Sequence, residues 1–584
     1  MSWCLHMRYK RLMPLSIKPT KGVKKMKEER SGAKYIADFL KSYDVTHVFY
    51  VLAMLRETLA EMEKVGIKRI TTHGEKAATY MADGYARISR RPGIAMAQSV
   101  GAANLAAGLQ DAYLGHSPVI ALSGRKPPQA QYRNAYQEII HGSMYEAVTK
   151  YNVNIDKGEQ LPILLRQAFR EATSGAPRPV HLDILGYTGE IIEKETISGP
   201  LEVEERYKSF PAVRIDPASK EVEKAVRFIL AASKPVIVAG SGAVSSDAGR
   251  EVLEFSKALS IPVAFSCNAK GLIPDTYWLN SGAVGTYSCA CANRVVSEAD
   301  LVIFIGSGVG DQVTMNWTIP HPDVQKIQID INPSELGRSY PKTFGILGDA
   351  KTTVAKMLQM TNTMKLEKKT EWGDVAGEII HEWKESRKTL RDSDSSPIRP
   401  ERLCKEISDI LPPDAIVVAD TGYSAIWAST MIDLNNIEQR FIRAAGSLGW
   451  AFPASLGAKC AAPEKPVFCF AGDGALWYHI AELETACRCG INTITVVNNN
   501  SAYGQSIEGV NKAYGDRSGN REEVYAFKKV NFAKIAEEIG CLGIRVEQAK
   551  DIRPALAKAL SANKPVVIDV VTDRTSKPET PWRP

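Results

Sequence analysis

Short apolar runs, bounded by glycine, proline or polar residues, alternate along the chain with longer amphipathic stretches, which is the pattern of parallel strands joined by helices. The first series carries runs at 47–51, 93–97 and 118–122, the second at 235–239 and 301–305, and the third at 415–419, 466–471 and 493–497. Charged, Pro-containing sequence at 196–218 and a Lys- and Glu-rich connector up to Pro400 separate the three series. The expected fold class is α/β, with three doubly wound parallel-sheet domains at 30–195, 219–360 and 400–575. Within the third, Trp477, Ile480, Leu483 and Cys487 recur at helical spacing and Gly490 stands where a helix cap belongs, so the spacing predicts one helix between the last two runs.

Composition narrows the class. The 584 residues are 44% hydrophobic and 24% charged, ordinary for a globular chain. No apolar run approaches the roughly 20 residues of a membrane span, so no membrane partner is expected. Of the net charge of +7, much belongs to the first thirty residues, with nine Lys and Arg against Glu28 and Glu29. That segment lacks the apolar core of a signal peptide and Met26 directly precedes the first helical stretch, so residues 1–29 read as a disordered basic extension or an upstream start rather than a nucleic-acid arm. Ten cysteines in so long a chain do not form a disulfide framework, which points to a reducing, cytoplasmic compartment. Of the two C-x-C pairs, Cys487 and Cys489 lie on the expected helix and point about 200° apart, which disfavours zinc.

The chemistry concentrates in Gly472-Asp473-Gly474, which ends one strand, and Asn498-Asn499-Asn500, which ends the next. Ligands of strand-helix-strand units bind at the carboxyl ends of the strands. Amides of Gly474 and Ala475 at a helix start can face phosphate oxygens, and the Asp473 carboxylate with the Asn500 amide oxygen suits a hard cation. A bare Gly-Asp-Gly would be a turn; the spacing to the asparagines supplies the other half of a diphosphate and magnesium site.

This arrangement resembles the cofactor motif of thiamine diphosphate enzymes. The likeness extends from about residue 30 over nearly the whole chain, through Glu75 to Arg87, Pro92-Gly93, a loop at Val100 to Asn104 and Tyr136-Gln137-Glu138, to the acetolactate synthase-like family. The resemblance implies thiamine diphosphate and magnesium as cofactors, with Asp473, Asn500 and the carbonyl of Ala502 as metal ligands. It implies Glu75 as the residue that hydrogen-bonds the aminopyrimidine, Gly446 and Leu448 as the support of that ring, and Gly422, Tyr423, Ser424, Gly472, Gly474, Ala475, Tyr503 and Gly504 as further cofactor contacts. Gln137 is a second catalytic candidate, Gln98 and Gln505 line the substrate side, and His73, His141 and His479 lie near the motifs, where structural hydrogen bonding competes with proton transfer. The implied assembly is a homodimer with shared sites, paired into a homotetramer, acting on a small-molecule substrate.

The implied activity makes or breaks a C–C bond of a 2-oxo acid or 2-hydroxy ketone through an acyl-carbanion intermediate; a related decarboxylase, a 2-hydroxyacyl-CoA lyase and a noncatalytic scaffold of the same fold are the alternatives. Three positions depart from true acetolactate synthases. Gly308 stands for an arginine near the second substrate and flavin, Gly509 for a tryptophan of the acceptor pocket, and Val284 for a flavin-facing histidine. Phe49 to Leu55 replaces a Gly-rich turn at the entrance. Gly240-Ser241-Gly242 and Asp330 could meet a dinucleotide, so the middle domain would hold FAD, ADP or neither.

Overall fold

The computed structural model describes residues 29–52, 54–364 and 367–584, so most of the basic N-terminal segment lies outside the described residues. Three six-stranded sheets, parallel throughout, carry helices on both faces. The first runs Lys68–Thr71, His47–Tyr50, Gly93–Gln98, Val119–Arg125, Val180–Leu185, Tyr151–Ile155 in spatial order. A two-stranded antiparallel ribbon, with Arg30 opposite Ile197, ties the ends of this domain together.

The third sheet places Val467–Gly472 beside Ile494–Asn499, with Gly472 opposite Asn498, so both motifs emerge at one edge. These strands are buried along nearly their whole length, which explains why they read as continuous apolar runs rather than alternating ones. The middle sheet has Pro235–Ala239 next to Leu301–Ile305 at its centre. The polar connector that follows is largely a 22-residue helix, Thr370–Arg391, whose Trp372 is buried and donates its indole N–H to the carbonyl of Pro235 at 3.0 Å.

Two sequence readings need correction. The single helix expected after Asp473 is two, Asp473–Leu476 and Glu482–Cys489, separated by turns in which Trp477 and Tyr478 are exposed. Apolar spacing alone does not register such a break, because a turn can return the chain to the same face; Gly490, at φ 63°, does cap the second helix. The segment Val100 to Asn104 is not a loop but lies in the helix Ser99–Leu114. Its small residues serve close approach: a Cβ on Gly101 would stand 2.6 Å from a carboxylate oxygen of Glu75.

The first and third domains meet through the helices Glu75–Ser89 and Ala451–Ala461, and their contact is made by backbone. A Cβ on Gly84 would lie 2.0 Å from the carbonyl oxygen of Ala454, and one on Gly457 would lie 1.8 Å from that of Met81. No side chain fits in either gap. Gly457→Ala should therefore drive the helices apart at a cost of about 1–3 kcal/mol, read as a lower midpoint of urea denaturation; an unchanged midpoint would show that the contact yields freely.

Candidate active site

Asp473 opens a helix immediately beyond its strand and is almost fully buried. Burial pushes its carboxyl up to about 7, against the opposing effect of the backbone N–H groups of Asp473, Gly474 and Asn500. No Lys or Arg pairs with it among the described residues, so its charge is opposed by burial and offset only by backbone N–H groups. Asn500 follows the neighbouring strand; its Oδ1 accepts the N–H of Ala502 at 3.0 Å, which draws the chain into a tight turn through Ser501 at φ 55°. Arg574 holds the same turn by donating to the carbonyls of Asn500 at 3.1 Å and Ser501 at 3.2 Å.

Glycines let the chain pack closely around these groups. A Cβ on Gly472 would come within 3.4 Å of Ser424 Oγ, and one on Gly504 within 2.9 Å of Asn500 Nδ2 and 3.4 Å of the Tyr423 ring. One on Gly474 would lie 2.7 Å from the Tyr503 ring. The fold thus collects Gly422, Tyr423, Ser424, Gly472, Asp473, Gly474, Ala475, Asn500, Ala502, Tyr503 and Gly504 at one sheet edge, with two helix N-termini, at Tyr423 and Asp473, opening there. Backbone donors, a desolvated carboxylate and amide and carbonyl oxygens make a donor set suited to a diphosphate bridged by a hard cation.

Gly446 and Leu448 lie on a loop gripped from both sides. Asp111, on the helix Ser99–Leu114 of the first domain, accepts the N–H groups of Ala445 at 2.9 Å, Gly446 at 3.1 Å and Ser447 at 2.9 Å. Asp420 accepts those of Gly449 at 3.0 Å and Ala451 at 2.8 Å. Asp111 is neutralised by Arg87 at 3.3 Å, which also forks onto Asp83 at 2.7 and 2.8 Å and donates to the carbonyl of Arg443 at 2.8 Å. Trp450 completes the set, donating its indole N–H to Asp83 at 2.9 Å beneath the Arg87 guanidinium. Sequence reasoning missed Asp83, Asp111 and Asp420 as organisers; the available signal was acidic residues inside otherwise small or apolar stretches.

Glu75 stands at the start of its helix, after Gly74, and accepts a hydrogen bond from Asn104 Nδ2 at 3.2 Å. Among the described residues, none of its own hydrogen bonds crosses to the third domain, although the N–H of His73, two residues before it, donates to Glu482 at 3.0 Å. Gln137, at φ 58°, takes the amide of Gln98 on its Oε1 at 3.2 Å and the Tyr187 hydroxyl beside it, while its carbonyl accepts from Ser99, itself at φ 25°. Two residues in left-handed backbone contact each other here, the kind of local strain that gathers at ligand sites. Gln505 lies apart from that pair and donates to Tyr287 at 2.9 Å.

Two of the three candidate histidines are occupied structurally, while His479 Nε2 is buried without a hydrogen-bond partner among the described residues. His73 pairs with Glu484 at 2.8 Å, and His141 is buried against Asp183 at 3.1 Å and the carbonyl of Ser99 at 3.0 Å. His479 packs edge-on against Tyr80, and burial lowers it to about 4. In the middle domain, Gly242 and Gly308 line a cavity of about 140 Å³ with Asp330. Gly240 and Gly242 have a packing role as well, since a Cβ on either would strike the Gly306 backbone, at 2.3 and 2.8 Å. Val284 is buried, and Gly509 is exposed on the helix Ser506–Tyr514, with nothing within 4 Å of where its Cβ would be.

Comparison with known proteins agrees with this architecture domain by domain. Family models described as the N-terminal binding domain, central domain and C-terminal binding domain of thiamine pyrophosphate enzymes match residues 30–144, 222–357 and 420–570. A probable acetolactate synthase large subunit of Methanocaldococcus jannaschii is 33% identical over 516 residues, covering 86% of this chain and 85% of that one. The chain belongs to the acetolactate synthase-like family of thiamine pyrophosphate enzymes. Acetolactate synthase large subunits of Haemophilus influenzae, 29% identical over 93% of this chain and 95% of that one, and of Corynebacterium glutamicum, 30% identical over 93% and 87%, extend the match. In this thiamine pyrophosphate enzyme Asp111 lies within the N-terminal match and Asp420 opens the C-terminal one.

Burial raises the Asp420 carboxyl to about 6, so between about pH 4 and 6 the folded protein holds a proton that the unfolded chain has released. Its contribution to stability therefore falls as pH rises through that window. Asp420→Asn should abolish this slope in the variant, so the difference between variant and parent unfolding midpoints should change from pH 4 to 7; identical slopes would reject the assignment.

Proposed function

We propose that the protein is a thiamine diphosphate- and magnesium-dependent enzyme that makes or breaks the C–C bond next to the carbonyl of a 2-oxo acid or 2-hydroxy ketone. The observation that carries the reading is Asp473, a buried carboxylate without a protein cation, set beside Asn500 at the carboxyl edge of adjacent strands. Asp473, Asn500 and the Ala502 carbonyl would hold the metal, and the N–H groups at the helix starts near Tyr423 and Asp473 would hold the diphosphate. When bound, the cofactor supplies an electron sink for the pair released at the carbonyl carbon.

The residues of the chain supply position and proton control. Glu75 would hydrogen-bond the pyrimidine ring and share a proton with it, the Gly446 carbonyl would receive the ring's amine, and Leu448, half-buried against the core, would fix the ring's tilt. Gln137, steadied by Gln98 and Tyr187, would orient the substrate. Because Glu75 has no polar link to the third domain of its own chain, we assign the complete site to two chains, Glu75 from one and Asp473 from the other, in a homodimer that pairs into a tetramer. The relatives' names favour acetolactate formation. Gly308 and Gly509, both without a side chain on the acceptor side, favour an acceptor other than a second 2-oxo acid.

Asp473→Ala should abolish binding of thiamine diphosphate with magnesium, measured by calorimetry, and unchanged binding would sink the cofactor assignment. Glu75→Gln should keep the cofactor and slow exchange of its C2 hydrogen at least about 100-fold. Mixing the two inactive variants in equal amounts tests the shared site. Random dimers would regain about a quarter of parental activity, because each mixed dimer holds one intact site of two; a site built within one chain would regain none. For the substrate, the holoenzyme incubated with pyruvate, alone and with aldehydes or 2-oxo acids, should release a carboligation product. Acetolactate would contradict the acceptor reading, and cleavage of 2-hydroxyacyl thioesters would reassign the enzyme to the lyases.

A further inference from the structure

A cavity of about 690 Å³ lies where the three domains meet, and its lining shares no residue with the diphosphate cradle. Its walls come from the end of the helix Glu75–Ser89, from the segments after the middle strands Pro235–Ala239 and Val263–Phe265, and from the strand Arg440–Arg443. Several of its cations are already neutralised. Arg250 pairs with Glu438 at 3.2 Å, Lys351 with Asp247 at 3.3 Å and Lys270 with Asp275 at 2.9 Å, while Arg87 is held by Asp83 and Asp111.

Arg90, Arg440, Arg443 and Lys465 also line the cavity and form no ion pair with a carboxylate among the described residues. Arg90 donates to the carbonyls of Phe210 at 3.3 Å and Val244 at 3.5 Å and of Ser245, and Arg440 to those of Ile437 at 2.6 Å and Gln439 at 3.1 Å. Arg443 is 2% exposed; its Nε donates to the carbonyl of Ala444 at 2.8 Å, and its Nη1 is buried with no partner. A buried guanidinium with a spare donor is costly unless an acceptor is supplied. Burial pulls Arg90 below its ordinary range, and the neighbouring Arg214 and Arg440 add to this against the opposing Asp247, itself shared with Lys351. Eight Lys and Arg thus line a roomy cavity with only two carboxylates, Asp247 and Glu438, in the same lining.

We propose that this junction cavity binds a phosphate-type oxyanion, with Arg90, Arg440, Arg443 and Lys465 as its ligands. Guanidinium groups fit tetrahedral oxyanions in forked geometry, and a lysine at the edge adds a mobile charge. The volume exceeds that of a bare phosphate and falls in the range of small-metabolite sites, so the group can arrive free or as the ester of a small metabolite. An anion held there would touch all three domains at once and would stabilise the folded chain through linkage.

The test uses the full chain saturated with thiamine diphosphate and magnesium, at constant ionic strength, with inorganic phosphate and ribose 5-phosphate as probes followed by 31P line broadening and thermal shift. Saturable binding is expected for at least one probe, weakened about ten-fold or more by Lys465→Glu and by Arg440→Glu, with Lys550→Glu as a distant control that leaves it unchanged. Equal affinities would assign the site to free phosphate, and tighter binding of the sugar phosphate to an ester; both support the site. Absence of saturable binding, insensitivity to both charge reversals, or loss of binding on saturation with thiamine diphosphate would overturn it. Because the readout is anion binding to the cofactor-loaded chain, its failure leaves the proposed reaction standing.

Discussion

The loop from Ala445 to Ala451 depends on two buried carboxylates, one from each side. Five backbone N–H groups of this segment go to Asp111 and Asp420, so its shape is set by acceptors in two domains rather than by its own secondary structure. Carboxylates in a dry interface are expensive, and what offsets the cost is full satisfaction: Arg87 neutralises Asp83 and Asp111, and Trp450 takes a further oxygen. Removing Arg87 alone would leave two buried charges uncompensated, a loss on the order of 3–5 kcal/mol. An apolar replacement could recover stability but would leave the loop's donors unmatched.

The clamp also fixes geometry at a distance. Asp83 and Arg87 lie on the same helix as Glu75, eight and twelve residues further on, a separation of about 12–18 Å along the axis. The backbone contact at Gly84 and Gly457 sets the depth to which that helix sinks onto the third domain, and the ionic network sets its rotation. Glu75 is therefore presented at the helix start from a rigid mount, which is what a proton-sharing residue needs if it is to meet a cofactor held by another chain. Small residues along both helices are the condition for this; larger ones would hold the two domains beyond hydrogen-bonding range.

Much of this was legible in the sequence because it rests on residue type. Buried parallel strands must be apolar on both faces, so all three sheets show as apolar runs; Asp473, Asn500 and the glycines around them stand out because the proposed phosphate and cation cradle would need a carboxylate, an amide and absent side chains at fixed spacing. What escaped rests on relations between distant segments. Asp111 means little without knowing that residues 445–447 lie opposite it, more than three hundred positions away. The break between Leu476 and Glu482 escaped because the apolar period continues across it, and the helical state of Val100 to Asn104 because glycine and alanine there serve packing against Glu75 rather than a turn. Gly240 and Gly242 illustrate the converse: a nucleotide-like spacing whose glycines are already required by the Gly306 backbone.

Two of the departures from true acetolactate synthases remove a side chain, Gly308 beside the middle-domain cavity and Gly509 on an exposed helix. Each residue proposed for metal, diphosphate or pyrimidine is present, whereas Gly308 and Gly509 would bring no side chain to the proposed acceptor side and Gly509 lies on a helix without a buried residue. Energy for selecting a second substrate comes from groups that touch it, and an anionic acceptor without a cationic anchor loses the strongest of these contacts. On the proposed reading, a chain that keeps the machinery for activating the first substrate while clearing the anchors for the second would retain the reaction class and change its acceptor. The constraint on function is thus asymmetric: the clamp and cradle tolerate little change, and the exposed helix over Gly509 can vary without disturbing either.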